Sequence, residues 1–197
     1  MRRVRWWAVL SAGLAPAFLV GGWTLAARRQ PAPYDAVRDT ISALAGLGAS
    51  DRWVMTAGLT GLGACHVVTA LGLRPAATPG RVILATGGLA TLLVAAFPVP
   101  RTGTSQAHFA AALVAFGALT SWPAFAAAWR RPAAPPVLRP VVSVTATAAL
   151  AALLGWFGAE LFGDGPRVGL SERVLAAAQA LWPLCVAVAA GTRSGDG

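Results

Sequence analysis

Outside its arginines, this chain carries little titratable chemistry: two histidines and seven carboxylates. His108 is the first candidate. It opens an apolar run, with Arg101 and Pro98 just before it in a short connection. An imidazole beside a carboxylate works as a general base, a metal ligand or a pH sensor. Asp35, Asp39 and Glu172 are the carboxylates expected at the same end of the molecule, so an acid–base pair of His108 with one of them is the catalytic reading. The plainer reading leaves His108 wet at the interface and paired with one acid. The residues that would line a binding rim are His108, Arg101, Asp39, Ser42, Glu160 and Arg173. Ser42, Ser105 and Ser121 offer hydroxyls, but sequence places no base beside them. Ser105 reads more simply as a helix N-cap. Glu160, Asp164, Glu172 and Arg173 surround one turn, where Arg173 is expected to pair with Asp164 or Glu160. His66 sits deep in an apolar run, where it is expected to hydrogen-bond Thr69 or a neighbouring helix, or to touch a proton or polar ligand.

Metal and cofactor chemistry find no support. The two histidines fall at opposite depths, and Cys65 and Cys185 lie inside apolar runs, so no three or four ligands converge. No His-Glu-x-x-His, Gly-x-Ser-x-Gly or Walker pattern is present. No metal and no cofactor are expected.

The elements that must position these residues are membrane helices. Of 197 residues, 56% are hydrophobic and only 12% charged, half the charged share of an ordinary soluble domain. The mean hydropathy is +0.63. A membrane helix needs about 20 mostly apolar residues. Six runs qualify, at about 6–27, 53–73, 81–97, 106–129, 141–162 and 172–190. The fold class is therefore all-α, a single transmembrane domain over 1–197 built as a six-helix bundle. The first run is read as an uncleaved anchor, because Arg28 and Arg29 follow it at once. Ser50 or Asp51 is the expected N-cap of the second run. Pro16, Pro123 and Pro183 fall inside runs and are expected to kink helices locally. Small residues recur every four positions at Gly13, Ala17 and Gly21, at Ala57, Gly61 and Cys65, and at Ala151, Gly155 and Ala159. Such stripes let backbones approach, within a bundle or across a dimer.

Arginine placement sets the orientation. With the N-terminus inside, Arg2, Arg3, Arg5, Arg74, Arg81, Arg130, Arg131, Arg139 and Arg193 lie on the cytoplasmic side with one acid, Asp196. The outer side holds seven arginines and six acids. That asymmetry suits a plasma-membrane protein with both termini cytoplasmic, facing anionic lipid. The net charge of +9 comes in short clusters between apolar runs, so nucleic acid is not an expected partner. Trp6, Trp7, Trp53 and Trp129 fall near span boundaries, as an aromatic belt requires. The first outer connection, 28–50, carries Val37, Ile41 and Leu44 at helical spacing behind a potential cap at Asp35. It is expected to form a short interfacial helix.

Thr40-Ile41-Ser42-Ala43-Leu44, Gly58 and Gly61, Phe97-Pro98, His108, and Gly169-Leu170-Ser171-Glu172-Arg173, in that order, resemble the DUF998 family of uncharacterised prokaryotic six-helix membrane proteins. The likeness spans roughly residues 6 to 190. Family members look to carry an acid after the serine of the first loop, where this chain has Ala43. The layout is more distantly similar to the Frag/DRAM/Sfk group, some of whose members are tied to lipid handling. Three functions follow as expectations. The first is non-enzymatic binding of membrane lipid, or of a second copy or another membrane protein, at the outer rim. The second is a lipid-active enzyme using His108 with a rim carboxylate. The third is a small transporter.

Overall fold

The computed structural model describes residues 3–129 and 134–191. Arg2, Arg130, Arg131, Arg193 and Asp196, which enter the orientation argument, lie outside the described residues. Six long helices form: α1 (Trp6–Ala27), α3 (Trp53–Gly72), α4 (Thr78–Ala96), α5 (Gln106–Ala126), α6 (Pro140–Phe162) and α7 (Val168–Gly191). A five-residue helix, α2 (Ile41–Ala45), lies in the first connection, and a 3-10 turn, Pro136–Leu138, precedes α6. No strand occurs among the described residues. All six long helices are long and apolar enough to cross a bilayer, with mean hydropathy of 1.5 to 1.8. The chain is a multi-pass integral membrane protein. Large apolar side chains such as Leu10, Val82, Leu113 and Val141 point outward, where lipid is as good a solvent for them as a protein core.

The helices form a closed ring in the order α1, α3, α4, α5, α6, α7 and back to α1, with α2 against α1, α3 and α7 at one end. The α1–α3, α3–α4 and α4–α5 seams are extensive, while those made by α6 are sparser. Trp6, Trp53 and Trp129 are exposed at helix boundaries, which suits an interfacial belt. Pro16, Pro123 and Pro183 all sit inside continuous helices.

Several local expectations are corrected. The close helix contacts fall only partly on the expected stripes, at Gly61, where a Cβ would meet the Phe18 ring at 2.5 Å. A Cβ at Gly58 would meet the Phe18 carbonyl at 2.9 Å, and one at Gly63 would meet the Gly88 carbonyl at 2.7 Å. Gly21 and Gly155 instead face open space. α3 is not capped by Ser50 or Asp51. Its N-cap is Arg52 with no side-chain bond, because the Asp51 carboxylate accepts from Arg29 at 3.0 Å and from the Trp53 indole at 3.4 Å. α2 is shorter than the Val37–Leu44 stripe. Asp35 closes a separate turn by accepting from the Val37 N–H at 2.8 Å. Thr40 then caps α2 by accepting from Ala43 N–H at 3.1 Å. α4 starts earlier than Arg81, with Pro79 in its first turn where a missing N–H does no harm. α7 starts at Val168 rather than Glu172, and that shift moves Glu172 one full turn into the bundle.

Candidate functional site

Ser42 is where three elements meet. It sits in the first turn of α2, held there by the Thr40 cap. Its Oγ lies 3.2 Å from His108 Nε2. The same hydroxyl, and the Ser42 N–H, reach the Glu172 carboxylate, which also accepts from the Ile41 N–H. Glu172 is buried, with 4% of its surface exposed. A carboxylate so placed needs several donors, and the start of α2 supplies them.

His108 stands in the first turn of α5, whose N-cap Ser105 accepts from the His108 N–H at 3.2 Å. Its Nδ1 lies 2.8 Å from the Phe97 carbonyl. A carbonyl only accepts, so Nδ1 carries a proton, and a neutral ring then presents Nε2 as an acceptor to Ser42. The Phe97 carbonyl is open to this bond because α4 ends at Ala96 and the chain turns away through Pro98. Ser42 thus stands between the His108 ring and the Glu172 carboxyl group.

This polar trio forms one end of a cavity of about 350 Å³. Thr40, Val99, Gly103, Thr104 and Ser105 line the same end, and the rest of the wall is apolar and comes from α5 and α6, including Phe109, Leu113, Phe116, Leu154, Phe157 and Leu161. Phe109 is 50% exposed and Leu113 66%, so the opening lies on the lipid-facing side. Gly117 and Gly158 line the cavity from opposite helices, and a Cβ added at either would meet nothing within 4 Å. Two aromatic pairs bridge α5 and α6 here, Phe109 with Phe162 at 6.4 Å and Phe116 with Phe157 at 5.3 Å between centroids.

The other residues singled out from sequence are placed elsewhere. Arg173 does not pair with Asp164 or Glu160. Its Nη1 donates to the carbonyls of Ala36 and Asp39, both at 2.7 Å, and of Gly169 at 2.9 Å, and its Nη2 donates to the Tyr34 hydroxyl at 2.6 Å. Leu170 N–H adds a bond to the Val37 carbonyl at 3.0 Å. Gly169 permits this contact, since a Cβ there would meet the Ala36 carbonyl at 2.7 Å. Arg173 therefore pins the 34–40 segment, and with it α2, onto the start of α7. Burial pushes the Tyr34 phenol above its usual range, against the opposing pull of the Arg173 charge. Asp39 accepts from the Asp35 N–H at 2.8 Å, and Asp35 lies 3.7 Å from Arg38. Both acids shape the loop and neither reaches His108. Glu160 accepts from the Trp156 indole at 3.2 Å and from Arg167 N–H at 2.9 Å, bracing the α6–α7 turn. Arg101 donates to the Leu47 carbonyl at 3.2 Å.

Glu172 is also not the solvated turn residue that its neighbours suggested. Sequence reasoning named Thr40 and Phe97-Pro98 only as marks of the family resemblance, without the Thr40 cap or the Phe97 carbonyl, and missed Gly117 and Gly158 altogether. The Phe97-Pro98 step was the available signal, since a helix ending at Pro leaves a carbonyl free. His66 is buried and lacks the expected bond to Thr69. Neither of its ring nitrogens, nor the Thr69 hydroxyl, has a partner. No group of three metal-ligating side chains occurs among the described residues.

No curated protein and no solved structure matches the chain. The model of a family described as "Protein of unknown function (DUF998)" matches residues 6–189, nearly the whole sequence and every element of the site, and the chain belongs to that family.

Proposed function

We propose that this protein is a lipid-binding protein of a prokaryotic plasma membrane, with the α2 end outside and both termini cytoplasmic. A lipid chain enters the α5–α6 cavity from the bilayer, and its polar head meets Ser42, His108 and Glu172. The supporting observation is the cavity itself. It is apolar along its length, polar at one end, open toward lipid, and of a size suited to a small ligand. The orientation rests on arginine placement. A periplasmic reporter fused after Pro132 that proved active would overturn it.

A second reading, a lipid-active enzyme, is favoured by the His108–Ser42 contact. A base within hydrogen-bond reach of a hydroxyl is the arrangement that activates a nucleophile. Two features support binding over turnover. The acid contacts Ser42 rather than the histidine, whose Nδ1 is taken by a carbonyl. The Ile41 N–H also donates to Glu172, which leaves it unavailable to stabilise an oxyanion.

Native mass spectrometry of the protein released gently from its own membrane tests the proposal. Wild type should carry a discrete lipid, and Gly158→Leu and His108→Ala should lose it. A lipid retained equally by all three proteins would overturn the cavity as its site. Lipid turned over by wild type and not by Ser42→Ala would replace binding with catalysis.

A further inference from the structure

Behind the polar trio lies a second, smaller chamber of about 50 Å³, lined by Ser42, Thr91, Glu172, Gln179 and His66 among apolar residues of α1 to α5 and Ala176 of α7. Ser42 and Glu172 line both cavities, so the two share a polar wall. The groups descend stepwise. Glu172 stands roughly 6 Å along α7 from Val168, Gln179 roughly 16 Å, and His66 roughly 20 Å along α3 from Trp53, at 1.5 Å per residue. Gln179 is held by its Nε2, which donates to the Phe116 carbonyl at 3.0 Å and to Thr120 Oγ1 at 2.9 Å. Thr91 donates to the Gly87 carbonyl at 2.9 Å. His66 differs from both: it is 1% exposed, it lines the chamber, and neither ring nitrogen has a partner.

A buried ring with an unmet donor and an unmet acceptor is costly in a bilayer interior. A chamber of this volume exceeds what one water requires, and its wall offers the two to four polar partners that a water needs. Such a site would be lost to an apolar guest, which leaves His66 unsatisfied. Leu119 of the chamber wall belongs to one apolar cluster with Leu73, Leu84 and Trp122, all three fully buried, toward the opposite end of the bundle from Ser42. We propose that the chamber is a water site, entered past Ser42 and Glu172 and closed at its inner end by His66, which places a hydrated imidazole near the middle of the membrane. This site is independent of whether a lipid occupies the larger cavity.

The chain has only two histidines, which makes the test direct. Protein labelled with 15N-histidine is reconstituted in lipid bilayers, and polarisation transfer from water to the imidazole nitrogens is followed by solid-state NMR, with His66→Phe assigning the two rings. The expected result is transfer to His66 on the same build-up time as to His108. Ala176→Leu, which adds bulk from α7 to the chamber wall, should abolish transfer to His66 and leave that to His108. Absence of transfer to His66 in the wild type while His108 receives it would overturn the proposal. So would transfer that Ala176→Leu leaves unchanged, since the water would then lie elsewhere.

Discussion

The α3–α4 and α5–α6 seams are made of similar alanine-rich helices and solve packing in opposite ways. At α3–α4, Gly63 and Gly88 bring backbone against backbone, so that a Cβ on either would meet the other's carbonyl at 2.7 Å. At α5–α6, Gly117 and Gly158 face open space, and the helices are bridged by phenylalanine pairs around a cavity. The first seam gains close dispersion contact, which holds helices together where the solvent is itself apolar. The second gives up that contact and gains room. A glycine in a membrane helix thus marks either closest approach or deliberate space, and only its neighbours decide which.

Breaking the first seam should have the largest effect. Gly88→Leu forces a side chain into the Gly63 carbonyl and should destabilise the fold by about 3 kcal/mol or more. It would be seen as loss of monodisperse protein and a lower thermal midpoint in detergent. The matching change on the other seam sharpens the contrast. Gly158→Leu or Gly117→Leu should move stability by less than about 1 kcal/mol, yet cut lipid retention at least tenfold in native mass spectra. If Gly158→Leu unfolds the protein as Gly88→Leu does, the two seams do not differ in the way proposed.

Next in size is Arg173→Met. It removes the three hydrogen bonds that hold the 34–40 segment, to the Ala36 and Asp39 carbonyls and the Tyr34 hydroxyl. The expected cost is about 2 kcal/mol, since bonds to a charged group each contribute more than neutral ones but the group is partly wet. Hydrogen exchange should rise in residues 34–45 and stay unchanged in α3 and α4. Ser42→Ala is smaller again, about 1 kcal/mol. It should also shift the His108 ring nitrogens in NMR, because the bond to Nε2 is lost.

The smallest effect concerns Tyr34, the chain's single tyrosine. Tyrosinate absorption therefore reports on it alone. Its titration midpoint should lie above that of the denatured chain, because burial disfavours the phenolate. With the folded value raised, stability linked to Tyr34 is complete below the unfolded value and declines as pH rises through the folded one.

The spans were legible because lipid imposes a length and a composition that few residues can evade. Ser105 was legible as a cap for the same kind of reason: its role is local, three residues from the N–H it meets. The trio was only half legible. His108 and Glu172 stood out as rare titratable groups near one end of the membrane, but Ser42 lies 66 residues from the base that it contacts, and no local pattern encodes that distance. Glu172 and Arg173 were misread together. A terminus placed four residues too late made both look like solvated turn residues, whereas in a helix that starts at Val168 the second turn points one inward to Ser42 and the other back to the loop. The small-residue stripes were legible only in part, with Gly61 in close contact and Gly21 and Gly155 facing open space, because in so alanine-rich a chain the spacing recurs in several registers and only contact selects one.

Glu172 and Arg173, neighbours on the last helix, respectively complete the Ser42 contact and fasten the loop that carries it. During synthesis, α1, the loop and α2 leave the ribosome long before either residue exists. Until α7 inserts, Ser42 has no carboxylate and the 34–40 segment has no anchor. Maturation of the site is thereby coupled to the final insertion event, and a nascent chain arrested after α6 would present five spans and an undocked loop to whatever surveys membrane proteins for completeness.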